Sequence, residues 1–222
     1  MTTAVKAYKG MGMEGRTARW YDRTTRKDMA EFQALAVRIA ASIPPAAQVL
    51  EIAPGPGFLS IELAKRGLPV RAVDISRTFV EIARRNAAAE RVDVHFQLGN
   101  AAALPLEDAS VDFAVCRAAF KNFSEPQKAL MEMRRVLRPG GQALLIDMRR
   151  DAPMTEVRQY VNGLGVNRLN RWFMMFVFRN MLVRRAYPLE EFRRMAIDAG
   201  WAQPRIETSR MGFEAWMTKE RQ

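Results

Sequence analysis

The sequence predicts a doubly wound α/β fold on a mainly parallel sheet, and three observations predict it. Apolar strand-length runs alternate with segments of helical period from residue 27 onward. A Gly-rich turn follows the first of these runs, and an aspartate, Asp74, closes the second. The length of 222 residues, with 49% hydrophobic and 27% charged side chains, suits one sizeable domain with a complete core and little room for another.

The elements follow in order. Lys27 to Ser42 carries apolar residues at helical spacing and stops at Pro44-Pro45. A strand at 48–53 leads into a helix from about 57 to 66, with Gly67 as its C-terminal cap. Val70 to Asp74 is a second strand, and Ser76 is the N-cap of a helix running to Ala89. Val92 to Gln97 alternates as a third strand with His95 in its middle, and Val111 to Cys116 is a fourth. A helix from Glu125 to Leu137 closes at Arg138-Pro139-Gly140-Gly141, and Gln142 to Asp147 is a fifth strand. Strands separated by helices imply βαβ units with right-handed crossovers.

Composition narrows the function classes. The apolar run Trp172 to Phe178 falls far short of the roughly 20 residues that span a bilayer. The first residues lack the basic-then-apolar pattern of a secretory leader. A single cysteine, Cys116, excludes an intramolecular disulfide framework and agrees with a cytoplasmic location. There is one histidine and no Cys/His cluster, so no metal site is expected. The net charge of +11 can steer RNA, acidic lipid or a carboxylated substrate. It equally fits the Arg-rich codon usage of a GC-rich genome, and the abundance of Ala and of Arg over Lys favours that explanation.

The turn Glu51-Ile52-Ala53-Pro54-Gly55-Pro56-Gly57 carries the chemistry. Glycines permit tight turning and close backbone approach to a nucleotide-like ligand, while Asp74 is placed to pair with a vicinal diol. The details depart from a dinucleotide loop: the third glycine position is Ser60, the turn holds two prolines, and nothing basic lies there to meet a pyrophosphate. An acid at Glu51 suits a ligand with a positive amino group instead. The segment resembles motif I of the class I S-adenosylmethionine (SAM) methyltransferases, acid-x-Gly-x-Gly-x-Gly, with Ala53 in the place of the first glycine. Four later stretches match the same family in order: Leu98-Gly99-Asn100-Ala101, the run Ala103 to Asp112, Met133 to Gly141, and Phe192 to Trp201. The match is good over roughly residues 47 to 147 and looser beyond.

The resemblance implies a seven-stranded sheet whose last hairpin, Arg205–Ser209 and Phe213–Lys219, adds an antiparallel strand. It implies that Glu51 and the backbone of Ala53, Gly55 and Gly57 surround the methionine part of SAM. Asp74 would take both ribose hydroxyls, with Ile75 and Ser76 beside the adenine and Asn100 and Ala101 at its edge. Arg117 would line the methionine end, and Tyr21 would belong to a lid formed by residues 1–45. Residues 46–222 would form the donor-binding domain, with a substrate-lid insertion at about 149–188. Methyl transfer from a sulfonium is a displacement that relies on proximity, alignment and water exclusion. Many small-molecule relatives carry a His after strand four, where this chain reads Arg117-Ala118-Ala119-Phe120-Lys121-Asn122-Phe123. No catalytic base is therefore named. His95 and Cys116 read as structural, and Asp147 is the carboxylate best placed to touch substrate.

The expected function is methyl transfer to a small, hydrophobic acceptor. Methylation of RNA, SAM binding without transfer, and a nicotinamide oxidoreductase are the alternatives. No RNA-binding module or nucleic-acid amino-methylation motif is seen, which argues against nucleic acid as a partner. Acceptor specificity should lie in two flanking regions. In the N-terminal one, Tyr8, Met11, Met13, Trp20 and Tyr21 interleave with Lys6, Lys9, Arg16, Arg19 and Arg23. In the insertion, Arg168 to Arg179 read as a helix puts Arg168, Arg171 and Arg179 on one face of an otherwise apolar surface. That helix suits a lid, a homodimer contact or a peripheral contact with an anionic membrane.

Overall fold

The computed structural model describes residues 8–9, 12–163, 168–177 and 182–221. The chain begins with α1 (Gly15–Thr25) and α2 (Met29–Ser42), then alternates β1 (Val49–Ile52), α3 (Phe58–Ala64), β2 (Val70–Asp74), α4 (Arg77–Ala89) and β3 (His95–Leu98). It continues through β4 (Val111–Arg117), a 3-10 turn Phe120–Asn122, α5 (Pro126–Val136) and β5 (Leu137–Met148). The insertion supplies α6 (Met154–Gly163), α7 (Arg168–Val177) and the short α8 (Val183–Arg185). Then come α9 (Leu189–Asp198), β6 (Arg205–Ser209) and β7 (Gly212–Thr218).

The strands form one seven-stranded sheet in the order β3-β2-β1-β4-β5-β7-β6. The first five run parallel to one another, while β7 runs antiparallel to both β5 and β6. The interior strand β1 is buried along its whole length, as expected of a parallel strand covered on both faces. Side chains alternate between two cores. Leu50, Ile52, Ala114 and Cys116 pack with α5 and α9 through Leu130, Met133, Phe192 and Ala196. Val49, Phe113 and Val115 pack with α2 and α3 through Leu35, Ile39, Leu59 and Leu63. The strand order reverses at β1, between β2 and β4, and in an open α/β sheet the crevice at that reversal is where ligands bind.

Two boundaries differ from the sequence reading, each for a pairing reason. β3 begins at His95 rather than Val92, because its partner β2 offers no strand residue before Val70, which follows Pro69. His95 therefore opens an exposed edge strand at the amino end of the sheet; it is a surface residue rather than a core histidine. β5 starts at Leu137, which pairs with Val111 before a register shift, and Gly140 N–H then donates to Lys219 C=O at 2.8 Å. The expected helix caps are present. Ser76 Oγ accepts from Phe79 N–H at 3.1 Å, and Leu68 N–H returns to Leu63 C=O around Gly67 at φ +78°.

Among the described residues, no helix is long and apolar enough to cross a membrane.

Candidate active site

The glycine turn is held in a conformation that most side chains resist. Ala53, Gly55 and Gly57 have φ of +57°, +55° and +83°. A Cβ at Gly57 would lie 2.8 Å from Phe96 Cζ and 2.9 Å from Ala83 Cβ, so only glycine lets α3 start this close to α4 and β3. At Gly55 a Cβ would meet nothing nearer than 3.9 Å, leaving the turn open on the side facing Tyr21 and Phe79.

Two buried carboxylates flank the turn. Glu51, on the α3 side of β1, accepts a short hydrogen bond from the Ser60 hydroxyl. The residue that broke the dinucleotide pattern thus has its own task, anchoring the acid. Burial pushes the Glu51 carboxyl up to about 7, against the opposing pull of the Ser60 hydrogen bonds and the Arg117 charge. Asp74 Oδ2 accepts from Gly55 N–H at 3.0 Å and Oδ1 from Ser76 N–H at 2.8 Å. Burial pushes it up to about 6 although both bonds favour the charged form. Each oxygen has used one of its two lone pairs, so the carboxylate retains capacity for two further donors.

The other expected residues gather at the same edge. Ile75 is 42% exposed, an apolar side chain left facing solvent beside Asp74. Asn100 Oδ1 accepts from Ala102 N–H at 3.0 Å, which shapes the turn after β3, and Ala101 packs on the core below. Arg117 donates to Glu31 Oε2 at 3.0 Å and lies 4.5 Å over the Phe32 ring, with its charge felt at both Glu51 and Tyr21. Tyr21 packs edge-on to Phe79 with centroids 5.8 Å apart and covers the glycine turn. Burial raises the pKa of its hydroxyl.

The N-terminal segment is fastened over this edge by contacts with no sequence signature. Glu14 accepts from Arg77 N–H at 3.0 Å and from Thr78 N–H at 3.1 Å at the start of α4. Ser76 Oγ donates to Met13 C=O at 2.6 Å. Asn86 Nδ2 donates to Pro56 C=O at 2.9 Å and to Asp22 Oδ1 at 3.1 Å, tying α1 to the turn itself. Upstream, Tyr8 bridges to Phe123, Lys9 N–H donates to Asn122 C=O at 2.7 Å, and Lys9 Nζ donates to Tyr187 Oη at 2.7 Å. Lys6 and Met11 lie outside the described residues.

Asp147 does not do what the sequence suggested. Oδ1 accepts from Lys121 Nζ at 2.8 Å and from Met148 N–H at 2.7 Å, while Oδ2 accepts from Lys121 N–H at 2.9 Å. The side chains of Lys121 and Asp147 are 7% and 1% exposed. Asp147 is a buried anchor rather than a group facing substrate, because Lys121 folds back from the turn after β4 to pair with it. The ammonium also holds Ala118 C=O at 2.6 Å, at a residue with φ +59°. Cys116 is fully buried, and burial pushes its thiol up, away from the reactive thiolate.

In the insertion, Met174 and Met175 pack with Met148 and Leu182 on a small core of Ala152, Val157, Val161, Val183 and Met211. Trp172 and Phe176 stack on each other at 6.3 Å and are 69% and 52% exposed. Phe178 and Arg179 fall outside the described residues.

Known proteins resemble this chain in sequence and in fold. Residues 50–145 match the sequence profile described as "Methyltransferase domain". Over 102 residues the chain is 38% identical to a demethylmenaquinone methyltransferase of Deinococcus radiodurans, covering 45% of this chain and 42% of that protein. An uncharacterised 37.1 kDa protein in transposon TN4556 of Streptomyces fradiae is 31% identical over 196 residues, covering 84% of this chain and 52% of the other. The chain thus spans about half the length of the curated relatives it matches. Among solved structures, a SAM-dependent methyltransferase candidate from Methanococcus maripaludis superposes with TM-score 0.77 at 24% identity, covering 96% of this chain and 97% of that one.

Proposed function

We propose that the chain is a class I, Rossmann-like, SAM-dependent methyltransferase acting on a small, hydrophobic acceptor. The observation that carries this reading is the pair of buried carboxylates, Glu51 and Asp74, on either side of a left-handed glycine turn with no basic side chain in it. A pyrophosphate would find no cation there, whereas a cationic amino acid joined to a nucleoside would find an acid for each end.

The residues present fit such a cofactor. Glu51, held by Ser60, faces the amino end, and the backbone of Ala53, Gly55 and Gly57 permits close approach. Asp74 keeps two lone pairs for a ribose diol. Ile75 offers an apolar surface to the adenine, with Ser76, Asn100 and Ala101 around it. Arg117 at the methionine end is paired with Glu31. When bound, the cofactor supplies an activated methyl group. The chain's part is to orient the acceptor and exclude water: Tyr21 and α1 close over the turn, and residues 1–45 act as the lid of a domain formed by 46–222.

We assign the insertion at about 149–188 to the acceptor; the bridge between Arg149 and Tyr187, which joins its two ends just after β5, supports this. Its methionines suit an apolar acceptor. The demethylmenaquinone methyltransferases among the relatives, named for a hydrophobic quinone, lend the same direction. A cytoplasmic location fits the single buried cysteine.

A thermal-shift comparison tests this function. SAM and S-adenosylhomocysteine are expected to raise the melting temperature, and NAD is expected to leave it unchanged. Stabilisation by NAD alone would replace this reading with an oxidoreductase.

A further inference from the structure

The insertion is set apart from the rest of the chain by its charge. Residues 157–189 form the longest stretch of the sequence without an aspartate or glutamate, and they hold Arg158, Arg168, Arg171, Arg179, Arg184 and Arg185. The next longest acid-free stretch, residues 32–50, contains Arg38 as its sole cation. Of the described side chains in the insertion, Arg158 and Arg184 are exposed.

Its aromatic surface is equally distinct. α7 seats Met174 and Met175 on the small core that it shares with Val157 and Val161 of α6. Trp172 and Phe176, one helical turn apart, are instead exposed and stacked on each other, with ring planes 20° apart. Among the described residues, the exposed tryptophan and phenylalanine side chains are these two and Trp20, all in the flanking segments. The two ends of the insertion meet just after β5 in the bridge between Arg149 and Tyr187. Because β1, β4 and β5 are parallel, this is the same edge of the sheet as the glycine turn after β1.

The charge decides what covers the aromatic pair. A second copy of the chain is disfavoured, because a twofold contact sets each patch against itself and two acid-free, arginine-rich segments repel. Single-stranded nucleic acid has the right charge, but its bases need open ring faces, and here the two rings stack on one another. A bilayer with anionic headgroups attracts the arginines and takes Trp and Phe side chains at its interface. We propose that the insertion docks on an anionic lipid surface, with Trp172 and Phe176 entering the interface and the acid-free, arginine-rich segment supplying the attraction. Docking at this edge brings the site to the phase in which a hydrophobic acceptor dissolves, and in that respect the inference rests on the acceptor class proposed above.

The test is flotation with vesicles of phosphatidylcholine alone and of phosphatidylcholine mixed equally with phosphatidylglycerol. The native protein is expected to bind the anionic vesicles about tenfold or more tightly, with affinity falling as salt rises. The double variant Trp172→Ser/Phe176→Ser, checked for unchanged melting temperature, should lose about tenfold in that affinity. Trp172→Phe keeps an aromatic ring and should keep the binding, while losing much of the tryptophan quenching by brominated lipid. Equal affinity for the two vesicles, full affinity in the double variant, or undiminished quenching in Trp172→Phe overturns the proposal. Self-association or capture of an unstructured oligonucleotide, lost in the double variant and without vesicle binding, would assign the face to those partners and overturn it too. The vesicle measurements use neither cofactor nor acceptor, so their failure leaves the methyltransferase reading standing. Failure of SAM to stabilise the protein would count against that reading alone.

Discussion

Ala53, at φ +57° where relatives of the motif have glycine, donates its N–H to Val73 C=O at 2.8 Å and keeps the turn closed at a cost of about 1 kcal/mol of backbone strain. Gly57 has no such latitude. Gly57→Ala combines a left-handed φ with contacts under 3 Å, and is expected to destabilise by about 2–4 kcal/mol in urea unfolding. The carboxylates beside the turn make a pH prediction. Burial raises Glu51 to about 7 and Asp74 to about 6, so above the ordinary carboxylate range the folded state holds protons that the unfolded chain has released. Ligand-free stability is therefore complete at low pH with respect to these two groups and falls as pH rises through 6 to 7. Binding of a cationic ligand to their ionised forms should strengthen over the same interval. Melting curves and titrations between pH 5 and pH 8 check both slopes. The gathering of Glu51, Asp74 and Ser76 at the turn was legible in the sequence because each lies in a local strand-turn-helix motif. The Ser60–Glu51 bond was not, since the pair lies nine positions apart across the turn.

At the scale of elements, the turn after β4 depends on the buried Lys121–Asp147 pair. Lys121→Met leaves the buried Asp147 carboxyl without its partner, and should cost about 3–5 kcal/mol by chemical denaturation. The turn carries Asn122 and Phe123, to which Lys9 and Tyr8 attach, so amide exchange at Lys9 should quicken in the same variant. Helix periods, caps and the glycine turn revealed most element boundaries, because these are local signals. β3 and β5 began elsewhere than expected because a strand ends where its partner does. Asp147 was misjudged for a related reason: its position at the carboxyl end of a strand is visible in sequence, but the lysine that covers it comes from another connection 26 residues away.

For the whole molecule, alternation and motif order sufficed to give a single sheet with an antiparallel final hairpin, and β3-β2-β1-β4-β5-β7-β6 bears this out. What alternation does not encode is how the flanking segments meet. The approach of Tyr8, Tyr21, Lys9 and Tyr187 to one sheet edge joins residues 178 positions apart and arises only on folding. The grouping of residues around the glycine turn, built from one βαβ unit, was accordingly readable, and the meeting of the flanking segments was not. The central claim is that this edge binds SAM through Asp74. Isothermal titration with SAM should give saturable binding for the native protein and, for Asp74→Ala with an unchanged circular-dichroism spectrum, affinity weaker by about a hundredfold or more. Equal SAM affinity in the two proteins, or none in the native protein, would contradict it.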